Sequence, residues 1–507
     1  MSRVNKILIA LIAIVLILIT YKKCSQNTDS RSGMEIIPED IAFVAALDIP
    51  KFLKKSQLED IQQTDVMSNY LSEASAENPI FTDIIKEPLK SGIDFRRNTY
   101  YALDYDETNN KEHFAGLILS LKDAGKFNSL TKKHFAKNIK SGNGFDYITL
   151  DRVTIVGWND DFVIFGSSDM FINLDEKMEY FFATEKENSI INNENFLEAI
   201  NSGKDLSFWL HTTPYLNDKA LLKSYGAGNI PTEVLEGNHI TGFINFGKGE
   251  MEGDVSFDFK PEMDQVFKNY FNDNTESDFS KYIPKNNCGF AFSASLNLPG
   301  IYNYRLGDRE LQNSVDRILA TKGITTNELF RTFGGDMFAA SYRERPGEKA
   351  SLLCGTKYYN RRLLDEFLDL GVQAEYLIKE SNDVYTWTGT SRDSSSFKIN
   401  FPDGFPRLAV ADDVVFFITD VKNYNRILDG GYNRNEMMST DLQTAFKEKM
   451  VAGVFDMDVM TNTGNKEQDI FEKCTFSFDK KAMKFKLDFK NKDVYALKLL
   501  MNQGLKQ

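Results

Sequence analysis

The four histidines of this chain, His113, His134, His211 and His239, are the side chains best suited to proton transfer or metal ligation at neutral pH. No two stand three or four residues apart, so no helix presents a pair on one face, and the HExxH pattern of a helical zinc site is absent. His134 shares a helical stretch with Phe127 and Leu130, the setting of a half-buried structural side chain. His113, His211 and His239 fall in or beside strand-like stretches, so joint chemistry among them is left to convergence in space. There is no G-x-S-x-G elbow, Walker loop or dinucleotide-binding glycine pattern. Gly334-Gly335 and Gly430-Gly431 lack the spacing to cradle a phosphate and read as turns.

Acidic clusters are the other candidates. Asp160-Asp161, Asp412-Asp413 and the group Asp104, Asp106 and Glu107 carry enough charge for a cation, but none has the spacing of an EF-hand, and solvated turn carboxylates are the expected role. Trp158, Trp209 and Trp387 are possible binding platforms; Trp158 and Trp387 fall near the meander of each half, where core or hairpin packing is expected. Cys24, Cys288, Cys354 and Cys474 form no CxxC pair and have no neighbouring histidine, which argues against zinc or thioredoxin-like chemistry. The last three sit in apolar stretches, either as buried free thiols or with one disulfide among them in an oxidising compartment. No catalytic, cofactor-binding or metal-binding residue follows from the sequence, and no cofactor is expected.

The elements that must position these residues are organised by a duplication. Three matches recur in the same order. IPEDIAFVAALDIP at 37–50 parallels IPKNNCGFAFSASLNLP at 283–299, and DDFVIFGSSD at 160–169 parallels DDVVFFITD at 412–420. FGKGEMEGDVSFDFK at 246–260 aligns to FDKKAMKFKLDFK at 478–490 with one two-residue gap. In each closing segment apolar residues alternate with polar ones, the pattern of a half-buried strand, and a helix follows at 263–271 or 493–501. Between these landmarks, strands are predicted over 99–104 and 114–121, a helix over 124–139 and a meander over 145–165. The second half repeats this sense: strands over 337–342 and 350–354, a helix over 361–370 and strands over 397–418.

The expected fold is α+β: two tandem copies of a module with an antiparallel sheet and helices on one face, preceded by an N-terminal hydrophobic helix. The modules span 34–272 and 283–507, with the polar, acidic stretch 272–282 as linker.

The segment 1–23 carries Arg3 and Lys6 ahead of a 15-residue charge-free run from Ile7 to Tyr21, the layout of a signal-peptide core or short membrane anchor. At 1.5 Å per residue such a helix covers about 22 Å, and Lys22 and Lys23 extend its reach by snorkelling. Three routes stay open: a retained anchor, lipidation at Cys24, or simple cleavage. Each leaves an exported body behind a polar tether at 24–33. Beyond the segment, 56 basic side chains face 73 acidic ones, a balance of −17 that argues against a nucleic-acid partner.

The chain resembles a family of duplicated, exported Bacteroidetes proteins catalogued only as a domain of unknown function. The likeness rests on the Ile37-Pro38 opening and its apolar strand, Asp48-Ile49-Pro50, Lys55-Ser56 and Ser91-Gly92-Ile93-Asp94, and covers most of 34–503. Such proteins often look like lipoproteins; Lys22-Lys23 before Cys24 departs from the small residue usual there. The resemblance implies no activity and no site residues. The sequence thus leads to a non-enzymatic, membrane-tethered protein of the periplasm or cell surface that binds an envelope protein or polymer. The competing expectations are a hydrolase whose carboxylates converge from distant parts of the chain, and a mainly structural protein.

Overall fold

Runs rich in β-branched and aromatic residues become strands, and in the centre of each sheet those runs are apolar at consecutive rather than alternate positions. The structure is a computed structural model. It describes residues 32–57, 79–105, 113–168, 171–216, 218–224, 230–273, 278–305, 313, 316–317, 319–321, 323–343, 348–388, 406–420, 424–433, 438, 440–460 and 470–504. The segment 1–23, Cys24, most of the tether, and Asp106 and Glu107 lie outside these residues. Among the described residues no helix is long and apolar enough to cross a membrane. The protein is α+β, with open, wholly antiparallel sheets and helices, divided into two compact units: Met1–Lys260 with Asn491–Gln507, and Pro261–Lys490.

The first unit holds β1 (Phe43–Leu47), β2 (Thr99–Tyr105), β3 (His113–Ser120), β4 (Lys140–Ser141), β5 (Asp146–Thr149), β6 (Thr154–Trp158), β7 (Phe162–Ser168), β8 (Leu206–His211), β9 (His239–Phe246) and β10 (Glu250–Asp258). Their order across the sheet is β4-β5-β6-β7-β3-β2-β1-β8-β9-β10.

Helices cover both faces of this sheet, which corrects the expectation of one covered face. Helices α1 (Ile49–Ser56), α2 (Pro79–Lys86) and α3 (Ala124–Phe135) bury Ile49, Ile80, Phe81, Ile84 and Phe127 against Leu117, Val156, Val163 and Phe165. On the opposite face α4 (Leu174–Phe182) and α5 (Glu194–Asn201) bury Met178, Phe181 and Phe196 against Phe114, Ile118, Ile155 and Ile164. The physical reason lies in β7, buried at every position, so that Val163 and Phe165 need one apolar layer and Phe162 and Ile164 another. Burial of such side chains is worth about 1.5–3 kcal/mol each, which makes these two layers the main source of stability.

The second unit holds β11 (Cys288–Ser295), β12 (Phe333–Tyr342), β13 (Ser351–Tyr358), β14 (Leu377–Lys379), β15 (Val384–Trp387), β16 (Arg407–Ala411), β17 (Val414–Ile418), β18 (Val451–Asp456), β19 (Phe471–Phe478) and β20 (Ala482–Phe489). Their order is β14-β15-β16-β17-β13-β12-β11-β18-β19-β20. Strand for strand, this is the order found in the first unit. Here α6 (Arg361–Gln373) covers one face with Leu364 and Leu368, while α7 (Tyr424–Leu428) and α8 (Thr440–Glu448) cover the other with Ile427 and Phe446.

Three stretches differ from what the sequence predicts. Within 272–282, Phe279 and Tyr282 are buried and stack on Phe338 at 4.8 and 6.2 Å, so this end of the polar stretch is core of the second unit. The C-terminal helix Ala496–Gly504 packs in the first unit, where the Ala496 N–H donates to the Gly247 carbonyl and the Gly249 N–H to the Val494 carbonyl. Gly334-Gly335 is a bulge inside β12 rather than a turn, with Gly335 at φ +83° and its backbone pressed on Leu296.

Candidate functional site

The fold brings two of the three strand-borne histidines together. In the β8–β9 ladder His211 stands opposite His239, and β10 sets Asp258 opposite His239 in turn, so the three form a row across one sheet face. The imidazole centroids are 4.8 Å apart, and the indole of Trp209 stacks on His239 at 5.3 Å. Both Nδ1 atoms and the Trp209 Nε1 are buried without a hydrogen-bond partner among the described residues. Burial lowers the pKa of both imidazoles; His211 falls to about 4, pushed further down by His239 and pulled up by Asp40. For His239 the opposing neighbours are Asp258, which raises it, and Lys260, which lowers it. Both rings are therefore neutral at pH 7.

The other histidines are engaged separately. His113 packs on Tyr105 at 4.7 Å, and His134 on α3 bonds through Nε2 to Asp83 Oδ2 at 2.7 Å. Among the described residues no group of three His, Cys, Asp or Glu side chains is arranged to hold a metal ion. Cys288, Cys354 and Cys474 are free and half-buried, and burial raises all three thiols, Cys288 to about 12, leaving little thiolate for nucleophilic chemistry. Trp158 packs edge-on against Phe127 at 5.6 Å and Trp387 against Phe417 at 5.3 Å, both in packing roles.

Asp160 and Asp161 line a groove of 570 Å³. One wall is the first turn of α3, which begins where it does because the Asp123 carboxylate caps the Lys126 N–H at 3.0 Å. The other wall is the 141–146 segment and the turn between β6 and β7, and buried Trp158 and Phe145 back it. Asn159 Oδ1 accepts from the N–H groups of Asp161 (2.9 Å) and Phe162 (2.8 Å), an Asx turn that leaves both aspartates exposed. Asp146, which the sequence gave no reason to single out, joins them and accepts from Ser141 Oγ at 2.8 Å. Among the described residues no Lys, Arg or His lines this groove, and none forms an ion pair with its three carboxylates.

A second groove, of 530 Å³ between α2 and α3, differs in charge pairing. Its Asp83, Glu87 and Asp123 each meet a lysine, Lys133, Lys90 and Lys126, at 2.6, 2.6 and 3.1 Å.

In the second unit the corresponding acids are also paired. Asp383, before β15, meets Arg361 at 2.6 Å; Asp412 meets Lys281 at 2.9 Å and the Tyr282 hydroxyl at 3.0 Å; Asp413 lies 3.9 Å from Lys357. The turn that presents free carboxylates in one unit is thus tied into ion pairs in the other.

A family model described as Domain of unknown function (DUF4836) matches residues 34–357, which takes in all ten strands of the first unit and the second unit as far as β13. The chain belongs to this family. No curated protein matches the sequence. Two crystal forms of TP0453, forms I and III, are similar at 11% identity and a TM-score of 0.26. They cover 46 and 47% of this chain and 84 and 86% of theirs.

One charged contact joins a residue named by the resemblance to a partner that sequence reasoning missed. Lys55 of α1 reaches Asp205 Oδ2 at 2.7 Å and Asn245 Oδ1 at 2.9 Å, while the Phe246 N–H donates to the same Asp205 oxygen at 2.6 Å. Asp205 is wholly buried and lies 150 positions along the chain, with no local pattern to announce the pairing. This contact is structural: it closes the end of β8 against α1.

Proposed function

We propose that this is a non-enzymatic, membrane-tethered protein of the cell envelope whose first unit binds a basic segment of a partner protein in the groove beside Trp158. The observation that carries the reading is the set of three carboxylates, Asp146, Asp160 and Asp161, that share a groove without one cation among them. An anionic polymer would be repelled there. A sugar chain would lack an aromatic face to stack on, since Trp158 is only 3% exposed. A Lys- or Arg-bearing segment supplies the missing charge. Each exposed pair is worth about 0.2–1 kcal/mol, so the three together contribute up to about 3 kcal/mol and weaken with salt. The tether is the charge-free run from Ile7 to Tyr21, with Cys24 as the residue for lipidation if the run is removed.

The shared strand order, with the three sequence matches, supports descent of the two units from one ten-stranded module. In this reading the second copy kept the fold and lost the site, its acids having acquired Arg361, Lys281 and Lys357 as partners.

The test is a crosslinked pull-down of the full-length protein from its native envelope, beside the triple variant Asp146→Asn, Asp160→Asn, Asp161→Asn. One partner recovered in near-equal amount from the wild type, reduced at least tenfold by the variant and by 0.5 M salt, is expected. Equal recovery from the variant, or no enriched partner, overturns the proposal. Turnover of an envelope polymer by the wild type that the variant abolishes would instead favour the hydrolase.

A further inference from the structure

We propose that His211 and His239 together bind one divalent transition-metal ion of the class imidazole favours, such as Cu²⁺, Ni²⁺ or Zn²⁺. The site is independent of the acidic groove. Its two ligands stand directly opposite each other on adjacent strands, and β8 is itself held between β1 and β9, so little backbone freedom remains to be lost on chelation. A metal–nitrogen distance of about 2.0–2.1 Å places two donor nitrogens about 3 Å apart. The two ring centroids stand 4.8 Å apart with the rings tilted by 31°, close enough for nitrogens of both to approach one ion.

The local chemistry favours a cation over the empty pair. Metal binding needs the neutral imidazole, and both rings are held in that form by their surroundings. Neither Nδ1 has a partner among the described residues, so each ring carries a buried polar atom left unsatisfied there. Negative charge is close by. Asp258 stands opposite His239, steadied by Asn195 Nδ2 at 2.8 Å, and the charge of Asp40 acts on His211, while Lys260 opposes them at His239. Asp258 and Asp40 offset the dication without ligating it, and water completes the coordination. Two protein ligands give an exchangeable site rather than a closed structural one.

The remaining histidines serve as controls, since His134 is bonded to Asp83 and His113 packs on Tyr105. The experiment titrates Cu²⁺ into the untagged full-length protein and follows its electron paramagnetic resonance spectrum. One equivalent with hyperfine splitting from two imidazole nitrogens is expected. Affinity should fall at least tenfold in both His211→Gln and His239→Gln, and should be unchanged in His113→Gln and His134→Gln. Wild-type affinity in either of the first two variants, or a spectrum with one imidazole nitrogen, overturns the proposal. If those variants fail to fold, the wild-type chain still decides. Zn²⁺ should shield both His211 and His239 from acylation by diethyl pyrocarbonate, and unshielded histidines would refute the site.

Discussion

Acidification should loosen the first unit through the His211–His239 pair. The sign follows from the direction of the shift. A histidine whose pKa falls from 6.5 to about 4 on folding binds fewer protons in the folded state across that interval, so stability is complete above pH 6.5 and is lost as pH falls towards 4. Between pH 7.5 and 4.5 the full shift corresponds to about 2.6 kcal/mol, and because His211 is only half-buried, solvent screening reduces this to about 1.3 kcal/mol. His239 is shifted in the same direction and adds to the loss. The assay is urea unfolding with a chelator present, followed by tryptophan emission, since Trp158 and Trp209 both lie in the first unit. The wild type should lose about 1 kcal/mol more than the double variant His211→Gln, His239→Gln over this range. Parallel pH dependence in the two proteins would show that the pair is not desolvated in the folded chain.

Other perturbations test the packing around the site. Lys55→Met strands the buried Asp205 carboxylate and should cost about 3–5 kcal/mol in urea unfolding. Adding Asp205→Asn should recover more than half of that, and a single-variant loss under about 1 kcal/mol would contradict the assignment. Leu497→Ala, at a side chain 6% exposed in the C-terminal helix, should cost about 2 kcal/mol or more and speed hydrogen exchange in α1, on which that helix packs. Gly335 and Gly144 have nearly the same positive φ, +83° and +81°, but a Cβ at Gly335 would lie 1.7 Å from the Leu296 carbonyl oxygen and one at Gly144 would meet nothing within 4 Å. Gly144→Ala should therefore cost only the conformational penalty of about 1–2 kcal/mol, and Gly335→Ala clearly more, in matched thermal melts.

Local features were legible wherever a single segment decides them. The helix at Ala124 and the strands at Thr99 and His113 lie within a few residues of their expected ends, because apolar periodicity and the Asp123 cap act over one or two turns. The burial of both sheet faces was also written locally, in the unbroken apolar run Phe162–Phe165, although the half-polar closing segments suggested a solvated face. What was not legible depends on register. Nothing within 206–211 or 239–246 says that His211 will oppose His239 rather than a neighbour two residues along, since that follows from how β8 and β9 pair. Asp146 joins Asp160 and Asp161 only because the meander folds back on itself, and the pairing of Asp412 needs Lys281, 131 positions away.

The contrast between the units bears on how many sites the two-unit chain should carry. If turn carboxylates were merely the polar ends of a hairpin, both units would be equally free to leave them in water, at little gain or loss in stability. Instead Asp383, Asp412 and Asp413 each have a cation within 4 Å, whereas Asp146, Asp160 and Asp161 have none among the described residues. Exposed carboxylates that share one groove present a negative face that a cationic partner would complement, which favours its encounter and register more than the stability of the turn. The same logic sets the corresponding strand pairs of the two units apart. Where β8 and β9 carry His211 and His239, the corresponding strands β18 and β19 carry no histidine at all. Both candidate sites therefore fall in the first unit, and the second is expected to serve the fold rather than to repeat the function.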